Sequence, residues 1–122
     1  MKKTLMIASA AVLVIGGFTA TDAVAGAESK CQTCHTFDKG GSNRMGPNLF
    51  GIVGRKAGSL DGYKYGDYLK NADFTWDEEH LKAWMEDSAG VAKADGKRTK
   101  MPTQRVAGEK ADEVIAFLNG LK

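Results

Sequence analysis

The chain has two cysteines, Cys31 and Cys34, separated only by Gln32 and Thr33, with His35 directly after them. Thiols at this spacing serve a dithiol redox pair, part of a zinc site, a small disulfide loop, or the attachment of a macrocycle. A redox pair of the thioredoxin kind wants a βαβ frame, and no such pattern surrounds these residues. A four-cysteine zinc site would need two more cysteines. A disulfide across two residues closes too small a loop to remove much entropy from the unfolded chain. His35 discriminates in favour of the fourth chemistry. Each thiol can add to one of the two vinyl groups of a haem, and the next residue then sets an imidazole under the iron. Cys-x-x-Cys-His is the haem c attachment pattern. The expected cofactor is one haem c, held by Cys31 and Cys34, with His35 as proximal iron ligand.

The sixth position of the iron needs a donor, and the candidates are His80, Met45, Met85 and Met101, or nothing at all. Met85 falls on the apolar face of an expected helix, where packing explains it. Met45 is close to the cysteine motif, which makes the opposite haem face hard to reach. His80 reads as a helix-surface residue. Met101 stands in a polar stretch with no core to fill, so ligation is the better reading. A thioether opposite a histidine raises the reduction potential and suits electron transfer.

The elements that must position these groups are short. Residues 22–36 read as helical into the motif. Residues 37–64 are glycine-dense and read as loop, and no run alternates long enough for a sheet. Residues 65–71 allow a turn or two of helix. Thr75 and Glu78 fit a capping box, followed by Leu81, Trp84 and Met85 on one face, with an expected stop near Gly90. Residues 90–106 read as loop. Val114, Phe117, Leu118 and Leu121 share one helical face ahead of the chain end, with Gly120 near the stop. The expected fold is all-α, roughly three to five short helices with long loops wrapped around one covalently attached haem. Such helices carry too few apolar residues to fill a core alone, and a flat apolar cofactor would complete it.

At 122 residues the chain allows one domain. Its formal charge of +2 lacks the basic excess of a nucleic-acid binder. Lys2 and Lys3, the uncharged run from Leu5 to Phe18 and Ala23-Val24-Ala25 are the three parts of a cleaved export leader over residues 1–25. The mature domain would then be 26–122, in the periplasm. The apolar run is short against the about 20 residues of a membrane span, and a retained anchor is the alternative.

On these residues the chain resembles the class I cytochromes c of the mitochondrial and bacterial soluble monohaem type. The resemblance runs from Cys31 to Leu121. It rests on Cys31-Gln32-Thr33-Cys34-His35, Gly46-Pro47-Asn48-Leu49, the stretch from Gly51 to Gly58, Gly62-Tyr63-Lys64-Tyr65, Thr75-Trp76, Thr99-Lys100-Met101 and the final helix. It implies that the Pro47 carbonyl accepts a hydrogen bond from the second nitrogen of His35. It also implies that Arg55, Tyr65 and Trp76 donate to a haem propionate, and that Met101 is the distal ligand. There are departures. The stretch Gly26-Ala27-Glu28-Ser29-Lys30 ahead of Cys31 holds no aromatic residue. Trp84 replaces the usual tyrosine near the methionine, so that hydroxyl contact is expected to be lost. Leu69 replaces a polar residue, Thr103 an aromatic one at the haem edge, and the loop before Met101 is longer.

The function these readings support is a periplasmic electron carrier, not an enzyme, moving single electrons between respiratory redox partners. The alternatives are an anchored or complex-bound cytochrome subunit, or a peroxide- or gas-reactive haem enzyme with an open sixth site. Lys30 and Lys39 flank the motif, and Lys93, Lys97, Arg98, Lys100 and Arg105 flank Met101. In the resembled fold both segments border the exposed haem edge. The expected partners are therefore redox proteins with an acidic docking patch, met by a monomer.

Overall fold

Glycine-rich loops and four short helical elements make up the part of the chain described by the computed structural model, residues 26–122. The expected export leader lies outside the described residues. A 3-10 helix spans Ala27–Thr33, followed by α1 (Asp67–Lys70), α2 (Glu78–Ala94) and α3 (Glu109–Asn119). Among the described residues there is no strand, only an isolated bridge between Lys56 and Thr75. The all-α expectation holds.

The segment entering the cysteine motif is tighter than an α-helix. Its bonds run i to i+3 at both ends, from Ser29 N to the Gly26 carbonyl and from Cys34 N to the Cys31 carbonyl. With three residues per turn, positions three apart eclipse each other. Cys31 in the last turn of this helix and Cys34 at its cap both line one cavity.

The capping box expected at Thr75 does not form. Thr75 is held extended, because Phe74 and Trp76 exchange backbone hydrogen bonds with Ala57, Arg55 and Gly54 at 2.8–2.9 Å. The cap passes to Asp77, whose carboxylate accepts from His80 N at 2.8 Å. An aspartate there satisfies an amide that has no partner inside the helix. The expected stop near Gly90 also needs correction. Helical geometry breaks at Asp87 (φ −152°, ψ 73°), restarts, and runs on to Ala94.

Val114 and Leu118 form the buried face of α3 as expected, completed by Ala111 and Ile115, while Phe117 and Leu121 are half-buried beside it. α3 packs on the 3-10 helix and on α2. Lys82 of α2 bridges Glu78 and Asp112 at 3.2 and 2.8 Å. Among the described residues no aromatic precedes the motif, but Phe37, just after it, meets Phe117 edge-on at 4.8 Å. These contacts fix the 3-10 helix, and with it both cysteines, against α3.

Candidate functional site

A cavity of about 400 Å³ opens between these elements, within the range of cofactor pockets. Cys31, Cys34 and His35 line it, and so does Met101 from the opposite end of the sequence. Leu49, Ile52, Leu81 and Leu118 make its walls apolar.

Both thiols are free. Burial, and then the Glu28 carboxylate, push the Cys31 thiol above its ordinary range. Redox-active cysteines are tuned the other way, toward the thiolate. Among the described residues no group of three or more His, Cys, Asp or Glu is placed to hold a bare metal ion.

The His35 ring is built into place. Its Nδ1 lies 2.7 Å from the Pro47 carbonyl. With Nδ1 donating there, Nε2 keeps its lone pair for a metal. Burial lowers the His35 pKa, against the opposing effect of the Pro47 bond, and so favours the neutral ring that can ligate. Gly46, whose amide donates to the Cys34 carbonyl at 2.8 Å, lies flat against the imidazole. A methyl at Gly46 would overlap the ring. A neutral ligand ring wedged between a glycine and a carbonyl, beside two free thiols in an apolar cavity, fits a covalently held haem.

Met101 is fixed from two sides. Its sulfur accepts from the Trp84 indole N–H at 3.1 Å and its carbonyl from the buried Ser88 hydroxyl at 2.9 Å. The tyrosine hydroxyl contact is absent, as expected with Trp84 in that place, but the indole N–H supplies a donor to the sulfur instead. Of the other ligand candidates, His80 lies outside the cavity, bonded to Asp77 at 2.7 Å and stacked on Phe74 at 4.3 Å. Met85 and Met45 do line it. Met85 belongs to the buried core, and Met45, 76% exposed, precedes the glycine that backs His35.

Tyr65 and Trp76 line the cavity. Arg55 is not among the lining residues; it donates to the carbonyls of Asn48 (3.2 Å) and Phe50 (2.6 Å) and lies next to Tyr65. At the mouth, Lys30 Nζ donates to the Gln104 carbonyl and Lys100 Nζ to the Lys64 carbonyl, both at 2.6 Å. These two straps join segments far apart in sequence and carry no sequence signal. Lys39, Lys93, Lys97, Arg98 and Arg105 are exposed. Of these seven cations only Lys30 and Lys100 line the cavity, and among the described residues none of the seven is in an ion pair.

No protein-family model matches the chain. It is 37% identical to cytochrome c2 of Rhodospirillum rubrum, across 94% of this chain and 88% of that protein. Among solved structures, cytochrome cH from Methylobacterium extorquens matches with a TM-score of 0.61 and 39% identity, covering 76% of this chain and 90% of that one. Ferricytochrome c2 from Rhodopseudomonas palustris matches with a TM-score of 0.68 and 29% identity, covering 79% and 93%. A relative this similar over nearly its whole length, the shared fold and the Cys-x-x-Cys-His cavity agree: the chain belongs to the class I cytochromes c, electron carriers with one covalently bound haem c.

Proposed function

We propose that this cytochrome is a monomeric periplasmic shuttle, passing single electrons between respiratory redox proteins and catalysing no reaction of its own. One observation carries the reading: Met101 lines the same cavity as Cys31, Cys34 and His35, and Trp84 donates to its sulfur. A methionine held in this way occupies the place an enzyme would keep open for a substrate.

The haem supplies reversible one-electron chemistry at its iron. Cys31 and Cys34 would hold it covalently, and His35 and Met101 would supply the ligands to its iron. The Pro47 carbonyl fixes the orientation of the imidazole and raises its basicity. Tyr65 and Trp76 serve the propionates as donors, and Arg55 behind Tyr65 supplies the offsetting cation. Half-buried carboxylates are costly without such partners.

Partners dock at the cavity mouth through an acidic patch, guided by the exposed cations Lys39, Lys93, Lys97, Arg98 and Arg105. Residues 1–25 direct export and are removed near Gly26. No helix among the described residues is long and apolar enough to cross a membrane.

Carbon monoxide tests the carrier reading. The reduced protein should bind it slowly and incompletely, because Met101 must first leave. Rapid, tight binding would mean an open sixth site and an enzyme. The intact mass of the exported protein, with or without residues 1–25, tests removal of the leader.

A further inference from the structure

The break in α2 at Asp87 exchanges hydrogen bonds in a definite way. In an unbroken α-helix the Ala89 and Gly90 amides would donate to the Met85 and Glu86 carbonyls, four residues back. Here they do not. Gly90 N donates instead to the Asp87 carboxylate at 2.9 Å, and Ala89 N to the Thr103 hydroxyl at 3.3 Å. The released carbonyls accept from the loop that follows Met101: Met85 O from Val106 N and Glu86 O from Arg105 N, each at 3.0 Å. The Thr103 hydroxyl completes the set by donating to the Asp87 carboxylate at 2.9 Å.

Asp87 thus caps the second part of α2 and grips the distal loop with the same oxygen. Thr103 is the piece of the loop that is gripped. It stands two residues beyond Met101, yet it does not line the cavity, although its neighbours Pro102 and Gln104 do. Gly90 is required by the same arrangement, since a methyl there would overlap the Asp87 carboxylate.

We propose that Asp87 and Thr103 form a clasp that positions Met101 for ligation, an inference that rests on Met101 being the distal ligand. A neutral thioether holds iron well only when its loop is fixed in advance. The clasp supplies that fixation in a segment where only Val106 is buried. Asp87 and Thr103 are positioning residues; neither touches the ligand sulfur.

The test is the affinity of the oxidised holoprotein for added imidazole, which must displace Met101. Thr103→Val should raise that affinity roughly tenfold, the scale of two lost hydrogen bonds. Thr103→Ser, which keeps the hydroxyl, should restore the parent value. Gly90→Ala should act as Thr103→Val does through the other half of the clasp. Unfolding in urea, followed by circular dichroism, separates a general loss of stability from release of the ligand. If Thr103→Val weakens the fold but leaves imidazole affinity unchanged, or if the serine fails to restore it, the clasp is refuted. If the parent protein itself lacks the near-infrared sulfur-to-iron band, Met101 is not the ligand and both readings fall.

Discussion

The Trp84 indole N–H reaches the Met101 sulfur across 3.1 Å, and Tyr68 stacks on the same indole with ring centroids 5.5 Å apart. Trp76 meets its edge at 5.8 Å. These contacts fix the indole, so the donor stays aimed at the sulfur. Donation draws electron density from the thioether and makes it a poorer donor to oxidised iron than to reduced iron. Trp84→Phe should therefore lower the reduction potential by about 20–60 mV, the one-electron equivalent of a hydrogen bond of about 0.5–1.5 kcal/mol. Spectroelectrochemical titration measures it. An unchanged potential, with the near-infrared band intact, would show that the bond has no electronic effect.

Covalent attachment is checked by acid–acetone extraction, which should leave haem on the polypeptide. Cys31→Ser or Cys34→Ser should lower retention, and the double change should abolish it. Gly46→Ala should also cut haem incorporation although it removes no ligand, because its methyl and the His35 ring need the same space. Full incorporation in Gly46→Ala would mean that the imidazole has room to shift.

Charge at the mouth should control encounter with an acidic partner. Screening lengths fall from about 30 Å at 0.01 M salt to about 10 Å at 0.1 M, so the bimolecular rate should drop steeply over that range. Lys97→Glu with Arg98→Glu should slow it further with little change in potential. Lys100→Glu is a different experiment, because it also cuts the strap to the Lys64 carbonyl. A rate indifferent to salt and to the paired reversal would mean that docking is apolar.

The Asp77 cap predicts a defined acid sensitivity. The His80 backbone amide, and then its side chain, hold the Asp77 carboxyl below its usual 3.8. A carboxyl depressed in the folded state stabilises above its unfolded pKa, and this contribution is lost as pH falls through the lower folded value. Asp77→Asn keeps an acceptor for the cap but removes the charge. Its unfolding free energy should therefore depend less on pH below about pH 4 than that of the parent. Parallel pH profiles for the two proteins would show that the cap acts without its charge.

Much of the site was legible because its chemistry is local. The cysteine spacing, the adjacent histidine and a methionine stranded in a polar loop each carry their reason within a few residues. The α3 stripe was equally plain, since helical periodicity is a local signal. What escaped is tertiary. Thr75 has a good capping sequence, but the ribbon at Gly54–Ala57 claims its backbone first. Gly90 reads as a stop until Asp87 is seen capping a second helical segment through it. The Lys30 strap spans 74 positions in sequence and the Lys100 strap 36, distances at which no pattern registers. That the Trp84 indole stands in for a hydroxyl is equally tertiary, since it depends on the ring lying within 3.1 Å of the Met101 sulfur.

The way the distal loop lands has a consequence for how this chain can vary in length. Met101 through Val106 are tied to residues 85–90 by most of their hydrogen bonds, and to the residues immediately before them only through Met101 N and the Thr99 hydroxyl. Asp95 through Arg98 are exposed, and Gly96 turns with φ +68° and open space beside its Cα. Residues added between Lys97 and Arg98 would lengthen an outward bow between two held feet, the turn that Gly96 N and Lys97 N close onto the Lys93 and Ala92 carbonyls and the Arg98 carbonyl that accepts from Tyr68 N. Exposed tips of this kind are where insertions are tolerated. The chain therefore has a place beside its redox centre where a recognition loop can be grafted, or a label tethered, without retuning the iron.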